Sequence, residues 1–136
     1  MPKPILLAID DDTSVLEAVV QDLRRHYGQD YRIVRAASGA AALDICRQLQ
    51  ERKDIVALFL SDQRMPGMTG VELHAHVRSS ANPIPTILIT AYPNDRVRRR
   101  ALEAGVRCFL TKPFTEQDLL RCVRGAVSRG DGCPQP

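Results

Sequence analysis

The stretch LSDQRMPG, residues 60–67, sets a single carboxylate at the point where an apolar run stops. The run, residues 55–60, has the length and the branched and aromatic side chains of a buried strand. Asp62 follows it, and the proline and glycine that come next favour a turn. Gly67 and Gly70 are expected to adopt backbone angles that bulkier residues resist. The pattern predicts a strand that carries one acidic side chain to the edge of a sheet, where the chain then turns.

Short apolar runs alternate with helical patterns along the whole chain. Strands are predicted over residues 5–9, 31–36, 55–60, 86–90 and 107–111. Apolar residues recur at helical spacing in the segments that follow, which predicts helices over residues 11–28, 38–53, 69–80, 94–104 and 115–129. Five strand–helix units favour one α/β domain, a doubly wound, five-stranded parallel sheet with helices on both faces.

Residues that cap helices mark the ends of these segments. Asp12 or Thr13 can cap the first helix, and Gly105 can close the fourth. Thr115 and Asp118 have the spacing of a capping box, so we expect the fifth helix to begin there.

Composition is typical of soluble globular proteins. The chain has 136 residues, of which 44% are hydrophobic and 26% charged, enough for one domain with its own core. Residues 1–129 are expected to form that domain, and the Gly/Pro-rich residues 130–136 a disordered tail or linker stub. The longest strongly apolar run has six residues, far short of the ~20 that span a membrane, and the N-terminus makes a poor signal peptide. We therefore expect a cytoplasmic protein without a membrane partner.

The four cysteines give no sign of a metal site or of a disulfide framework. None lies at CxxC spacing from another, and no histidine lies at ligand spacing from them. We therefore expect free thiols in a reducing compartment.

Charge is unevenly distributed along the chain. Residues 1–95 carry ten Lys/Arg and twelve Asp/Glu, a net of −2, whereas residues 96–129 carry nine and three, a net of +6. Three interpretations of this basic segment are open. It can form a solvated helix surface, it can bind an acidic partner or form a symmetric dimer with salt bridges, or it can bind nucleic acid. Direct nucleic-acid binding is not expected, because aromatic residues make up 4% of the chain and no recognition-helix module is visible.

Reactive side chains follow four of the five predicted strands. Ligands of open parallel sheets bind beyond the carboxyl ends of the strands, so these side chains are expected to share one edge. They comprise carboxylates, one hydroxyl and one ammonium: Asp10, Asp11, Asp12, Asp62, Thr90 and Lys112. Asp12 fits a helix cap better than a site residue, and we assign it there.

Crowded carboxylates require a counter-charge. At ~4 Å and an effective dielectric of ~20, each like-charged pair costs on the order of 4 kcal/mol. Lys112 offers one positive charge and a bound divalent cation offers two more, and hard oxygen ligands favour Mg²⁺. A carboxylate beside Mg²⁺ and a lysine is a plausible nucleophile toward a phosphoryl group, with an aspartyl-phosphate as the product.

Four segments together resemble the receiver domain of bacterial two-component response regulators. They are ILLAIDDD, LFLSDQRMPGMTG, ILITA and FLTKPF, in the order and at the spacing usual for that family. The resemblance covers residues 5–129. It implies a flavodoxin-like fold with strand order 2-1-3-4-5, phosphorelay signalling and a Mg²⁺ cofactor.

The resemblance also implies a role for each residue of the predicted site. Asp62 is the phospho-accepting aspartate, which takes its phosphoryl group from the phosphohistidine of a sensor histidine kinase or phosphotransfer protein. Asp10 and Asp11 hold Mg²⁺ together with Asp62, Asp11 directly and Asp10 through water. The main-chain carbonyl of Arg64 completes the metal site.

Three further residues carry the response to phosphorylation in this resemblance. Lys112 pairs with the bound phosphoryl group, and its peptide bond to Pro113 is cis. Thr90 turns toward the phosphoryl group, and the ring of Phe109 moves inward as the threonine shifts. Phe109 lacks the hydroxyl of the tyrosine that the family often has at this position. The two switch states must therefore differ in how the ring packs and not in a hydrogen bond.

The expected output is a changed surface rather than a product. The fourth helix, fifth strand and fifth helix form it, and it controls a partner, an attached output domain or a homodimer. The chain is thus expected to be a phospho-accepting switch and not an enzyme for an external substrate. Two alternatives stay open: a Mg²⁺-dependent aspartyl-phosphate phosphohydrolase, for which SDQRM lacks a second acid, and a binding-only pseudo-receiver, which the intact site residues disfavour.

Overall fold

The computed structural model describes residues 3–78, 84–91 and 94–127 of the chain. These residues form five strands and five helices that alternate along the sequence. The elements are β1 (Ile5–Ile9), α1 (Thr13–Tyr27), β2 (Arg32–Ala36), α2 (Gly39–Glu51), β3 (Val56–Asp62), α3 (Gly70–Arg78), β4 (Thr86–Thr90), α4 (Asp95–Glu103), β5 (Cys108–Thr111) and α5 (Glu116–Val127). The strand order is β2-β1-β3-β4-β5, with every neighbouring pair parallel. The predicted fold class and strand order are confirmed.

Hydrophobic burial explains which strands lie in the centre of the sheet. All five residues of β1 and of β4 are buried, as expected for strands covered on both faces. β2 lies at the edge and exposes Arg32 and Arg35. One large apolar cluster packs against α1 and α5, a second against α2 and α3, and a small third one lies under α4. No helix among the described residues is long and apolar enough to cross a membrane.

Polar caps fix the helix ends that the sequence marks. The side chain of Asp12 accepts hydrogen bonds from the main-chain N–H groups of Ser14 at 3.0 Å and Val15 at 3.3 Å, so it caps α1 as predicted. Thr115 and Asp118 form the predicted capping box. The Thr115 N–H donates to Asp118 Oδ2 at 3.2 Å, and the Asp118 N–H donates to Thr115 Oγ1 at 3.0 Å.

Several element boundaries differ from the prediction. β3 continues past residue 60 because Ser61 and Asp62 pair with β4 although both are polar. α2 ends at Glu51, two residues before the predicted end. Residues 79–80 of the predicted third helix, 128–129 of the predicted fifth helix and 130–136 of the predicted tail lie outside the described residues.

A buried histidine that the sequence did not mark joins three elements. His74 of α3 is 4% exposed. Its Nδ1 lies 2.9 Å from Thr86 Oγ1 of β4, and its Nε2 lies 3.0 Å from the main-chain oxygen of Ala104. Because a carbonyl oxygen can only accept a hydrogen bond, Nε2 carries the ring proton and donates a hydrogen bond to the main-chain oxygen of Ala104. Ala104 caps α4, and Gly105, with a φ of 100°, closes that helix as predicted.

The cysteines partly contradict the prediction of free thiols. Cys46 and Cys122 are free, and burial raises the pKa of the Cys46 thiol to about 11, which makes it unreactive at neutral pH. Cys108 is disulfide-bonded, so the prediction is wrong for this residue. Spacing along the chain does not reveal which cysteines a fold brings together.

Replacement of His74 by leucine is expected to destabilise the fold. His74→Leu removes both hydrogen bonds and should lower the free energy of unfolding by about 1–3 kcal/mol, as measured by urea denaturation followed by circular dichroism. The exposed His76 of the same helix provides the matched control, and His76→Leu should change stability by less than about 0.5 kcal/mol. Equal effects of the two substitutions would contradict a special role for the buried histidine.

Candidate functional site

Three aspartates meet at the carboxyl edge of the sheet. Asp10 and Asp11 directly follow β1, and Asp62 ends β3, the strand beside it. One carboxylate oxygen from each residue lies within 4.8 Å of the other two. Asp10 and Asp62 are 3% and 7% exposed, whereas Asp11 is exposed. The fold therefore brings Asp62 close to two carboxylates that are adjacent to each other and far from it along the chain.

Lys112, directly after β5, places an ammonium between two of these carboxylates. Its Nζ donates a hydrogen bond to Asp10 Oδ2 at 3.2 Å and lies 3.5 Å from Asp62 Oδ1. Its main-chain N–H donates to the Thr90 oxygen at 2.7 Å, so the end of β5 is held against β4. The Lys112–Pro113 peptide bond is cis, as the resemblance implied.

The electrostatics of the site favour a charged lysine. Burial alone would lower the pKa of Lys112, but the hydrogen bond to Asp10 and the charges of Asp10 and Asp62 outweigh it and raise the pKa. Lys112 is therefore an ammonium at neutral pH.

The negative charge around Asp62 exceeds what the Lys112 ammonium offsets. Burial and the charge of Asp10 raise the pKa of the Asp62 carboxyl, although Lys112 acts to lower it. Three carboxylates against one ammonium leave an excess of negative charge. The oxygen donors and their close spacing fit a hard divalent cation such as Mg²⁺, so the residues present suit the predicted metal.

The two neighbouring aspartates after β1 differ in what their oxygens contact. Asp10 Oδ1 accepts the main-chain N–H of Asp12 at 2.9 Å, and Oδ2 accepts the ammonium of Lys112. Both oxygens of Asp10 thus have donors within the protein. Asp11 instead lies exposed at the rim, and Asp12 is used in capping α1.

The loop after Asp62 is shaped by two glycines for different reasons. Gly67 has a φ of 81°, the left-handed conformation predicted for it. Gly70 does not lie in that region, so the prediction of an unusual backbone angle is wrong there. A Cβ at Gly70 would lie 2.8 Å from the main-chain oxygen of Asp62 and 2.5 Å from Leu88 Cδ2. Gly70 is needed because α3 begins in contact with the end of β3.

The remaining predicted residues lie around this edge. Thr90 is the buried last residue of β4, one register step beyond the residue that pairs with Asp62. Arg64 is exposed in the loop that follows β3. Phe109 of β5 is half-buried and packs against the small cluster under α4. Thr90 and Phe109 thus lie on the two strands that support α4.

Comparison with known proteins gives a consistent set of relatives. Residues 6–124 match the family model of the response regulator receiver domain. The response regulator protein TmoT of Ectopseudomonas mendocina is 32% identical over 90% of this chain and 52% of its own length. The hydrogenase transcriptional regulatory protein HoxA of Cupriavidus necator is 34% identical over 90% of this chain and 24% of its own length. The chain thus spans about half the length, or less, of the curated relatives it matches.

A solved structure shares the fold as well as part of the sequence. The chemotaxis response regulator CheY4 of Vibrio cholerae matches with a TM-score of 0.75 at 26% identity. The match covers 91% of this chain and 98% of that one. The likeness therefore extends over most of both chains.

Replacement of Asp62 by asparagine is expected to stabilise the protein at neutral pH. The raised pKa of Asp62 means that its ionised form is less favourable in the folded than in the unfolded chain. The gain in the free energy of unfolding from Asp62→Asn should shrink as the pH falls through the raised pKa. It should vanish below pH 3.8, the ordinary pKa of an aspartate. Urea unfolding at several pH values in metal-free buffer measures it. Asp44→Asn, at an exposed position of α2, controls for the loss of a surface carboxylate. A gain from Asp62→Asn that grows toward acid pH would contradict the electrostatic explanation.

Proposed function

Since this chain belongs to the response regulator receiver family, we propose that it works as a phosphorylatable signalling switch. Asp62 accepts a phosphoryl group from the phosphohistidine of a sensor histidine kinase or phosphotransfer protein. The observation that carries the proposal is the buried carboxylate of Asp62, 3.5 Å from the Lys112 ammonium and grouped with Asp10 and Asp11. The chain itself turns over no external substrate.

Phosphoryl transfer forms one bond and breaks another. A carboxylate oxygen of Asp62 attacks phosphorus, the P–N bond of the phosphohistidine breaks, and its electron pair returns to the imidazole nitrogen. The fold buries Asp62 and holds the Lys112 ammonium 3.5 Å from its Oδ1, so the attacking carboxylate and a cation that can receive the phosphoryl charge lie side by side. The chemistry therefore uses a property that the fold creates.

Mg²⁺ is the proposed cofactor, and its ligands come from both sides of the site. Asp11 and Asp62 would bind it directly, Asp10 through water, and Arg64 through its main-chain carbonyl. The engagement of both Asp10 oxygens by Asp12 and Lys112 supports the indirect role of Asp10. When bound, Mg²⁺ supplies positive charge to the phosphoryl oxygens during transfer.

Lys112 stabilises the phosphoryl group after transfer. Its ammonium already lies 3.5 Å from Asp62 Oδ1, so a phosphoryl oxygen bonded there comes within its reach. Asp10 accepts a hydrogen bond from the same ammonium and keeps it aimed at the site. Lys112 therefore compensates charge before and after the reaction.

A groove beside the site supports docking of a helix that bears the phosphohistidine. It lies between α1 and the segment after β5, and its lining includes Lys112 and Ala91. Its apolar lining includes Val15, Ala18, Val19, Pro113 and Phe114. An apolar surface of this kind fits the apolar stripe of a partner helix.

Thr90 and Phe109 are the proposed switch pair, and the weak anchoring of α4 supports this. Ala101 is the buried residue of α4, and it packs in the smallest of the three apolar clusters. Phe109 packs against the same cluster. Because α4 buries little apolar surface, a change at Thr90 and Phe109 can shift the helix at low free-energy cost.

The face formed by α4, β5 and α5 is the proposed output surface, and its charge favours an acidic partner over a second copy. Residues 95–127 carry seven arginines and four acids. Glu116, one of the four acids, hydrogen-bonds Arg25 of α1. Arg96 and Arg98–Arg100 of α4 are all exposed, so a symmetric dimer would bring like charges together. We propose no direct contact with nucleic acid.

We assign residues 1–129 to the receiver domain and residues 130–136 to a tail or linker. The family model ends at residue 124, which supports a boundary near residue 129. The greater length of the curated relatives fits control of an attached output domain. We place the protein in the cytoplasm, where relays of this kind pass phosphoryl groups.

Incubation with acetyl phosphate and Mg²⁺ is expected to add the mass of one phosphoryl group to the protein. Intact-mass spectrometry should show it on the wild type and on Asp44→Asn, and not on Asp62→Asn. EDTA should abolish the addition. Phosphorylation of Asp62→Asn to the wild-type extent would sink the assignment, and steady release of phosphate from phosphate esters would instead favour the phosphohydrolase.

A further inference from the structure

We infer that Gln63 is a positioning residue, which holds the main-chain carbonyl of Arg64 at the metal site by tying the end of β3 to the first turn of α3. The inference rests on the proposed function, because that function makes the carbonyl a Mg²⁺ ligand. Gln63 directly follows Asp62 and is half-buried.

Three groups of Gln63 bond to two different elements. Its main-chain N–H donates to the oxygen of Ile89 in β4 at 2.8 Å. Its main-chain oxygen accepts the N–H of Gly70 at 3.0 Å, and its side-chain Oε1 accepts the N–H of Val71 at 2.9 Å. One residue therefore joins the sheet to the start of α3 and closes the loop of residues 64–69.

The side-chain bond of Gln63 differs from the local cap of the same helix. The first N–H groups of a helix have no partner within it. Thr69 and Glu72 supply one cap, in which the Thr69 N–H donates to Glu72 Oε1 at 2.9 Å and the Glu72 N–H donates to Thr69 Oγ1 at 3.1 Å. That pair stabilises α3 alone, whereas the bond from Gln63 to Val71 also fixes α3 relative to β3.

The position of the Arg64 carbonyl depends on this closure. Arg64 follows Gln63, and the next residue, Met65, is buried in the cluster against α2 and α3. The close approach of Gly70 to the Asp62 main chain restricts how far the end of the loop can move. Mg²⁺ demands near-ideal octahedral geometry, so a small shift of one ligand lowers affinity.

The test compares Mg²⁺ affinity in variants matched for their effect on α3. Gln63→Met keeps a side chain of similar length but has no oxygen to accept the Val71 N–H. Gln63→Glu keeps that oxygen. Thr69→Val removes the hydroxyl that accepts the Glu72 N–H in the local cap and leaves Gln63 intact. Isothermal titration calorimetry with MgCl₂ gives the dissociation constant of the wild type and of each variant, and thermal unfolding gives the Tm of each.

Gln63→Met is expected to weaken Mg²⁺ binding about tenfold, as loss of a ligand-orienting contact typically does. Gln63→Glu should bind at least as tightly as the wild type. Thr69→Val should lower Tm to a similar extent as Gln63→Met, yet leave the dissociation constant within about twofold of the wild type. Wild-type affinity in Gln63→Met, or equal weakening in Thr69→Val, overturns the positioning role.

Hydrogen exchange in metal-free protein separates this inference from the proposed function. Gln63→Met should speed amide exchange across residues 64–69, and Thr69→Val should not do so to the same extent. If the wild type binds no Mg²⁺, the proposed function fails, while the exchange data still decide whether Gln63 fixes the loop. Unchanged exchange in Gln63→Met overturns the inference even if the wild type binds Mg²⁺.

Discussion

Repulsion among the carboxylates of Asp10, Asp11 and Asp62 is the constraint on which the site depends. The fold holds one oxygen of each within 4.8 Å of the others and buries two of the three residues. Lys112 offsets part of the charge, yet burial, and after it the charge of Asp10, still raise the pKa of Asp62. A protein that keeps like charges together at a loss of stability responds strongly to any group that relieves them.

The parallel sheet is what makes this crowding possible. β1, β3, β4 and β5 all end at one edge, so residues from four separate parts of the chain meet there. Buried β1 lies between the two large apolar clusters, and buried β4 lies between a large cluster and the small one, which holds the strand ends in place against the repulsion. α4 rests on the smallest cluster. The site thus lies at the ends of well-packed strands, whereas α4 buries little apolar surface.

Much of this could be predicted from the sequence, because continuous apolar runs and capping residues act locally. The limits of β1 and β4 agree with the prediction residue for residue, and Asp12 caps α1 as its position after a strand suggests. The family assignment also agrees with the motifs, since residues 6–124 match the receiver domain model.

What the sequence missed depends on contacts in space. His74 has a polar side chain, which pattern analysis places at the surface, yet its two ring nitrogens find partners on β4 and at the end of α4. Gly70 is required by the approach of the Asp62 backbone and not by its own conformation.

The side chain of Gln63 reaches Val71, eight residues away, and no local rule indicates such a bond. β3 is longer than predicted for a similar reason, because its polar end still pairs with β4.

A crystal structure of the protein grown with Mg²⁺ shows whether the crowded carboxylates form a metal site. We expect one metal ion at the carboxyl edge, bound by Asp11, Asp62 and the Arg64 carbonyl, with the Lys112 ammonium still beside Asp10. An ion bound elsewhere on the chain, or the three carboxylates moved apart with no ion between them, would contradict this expectation.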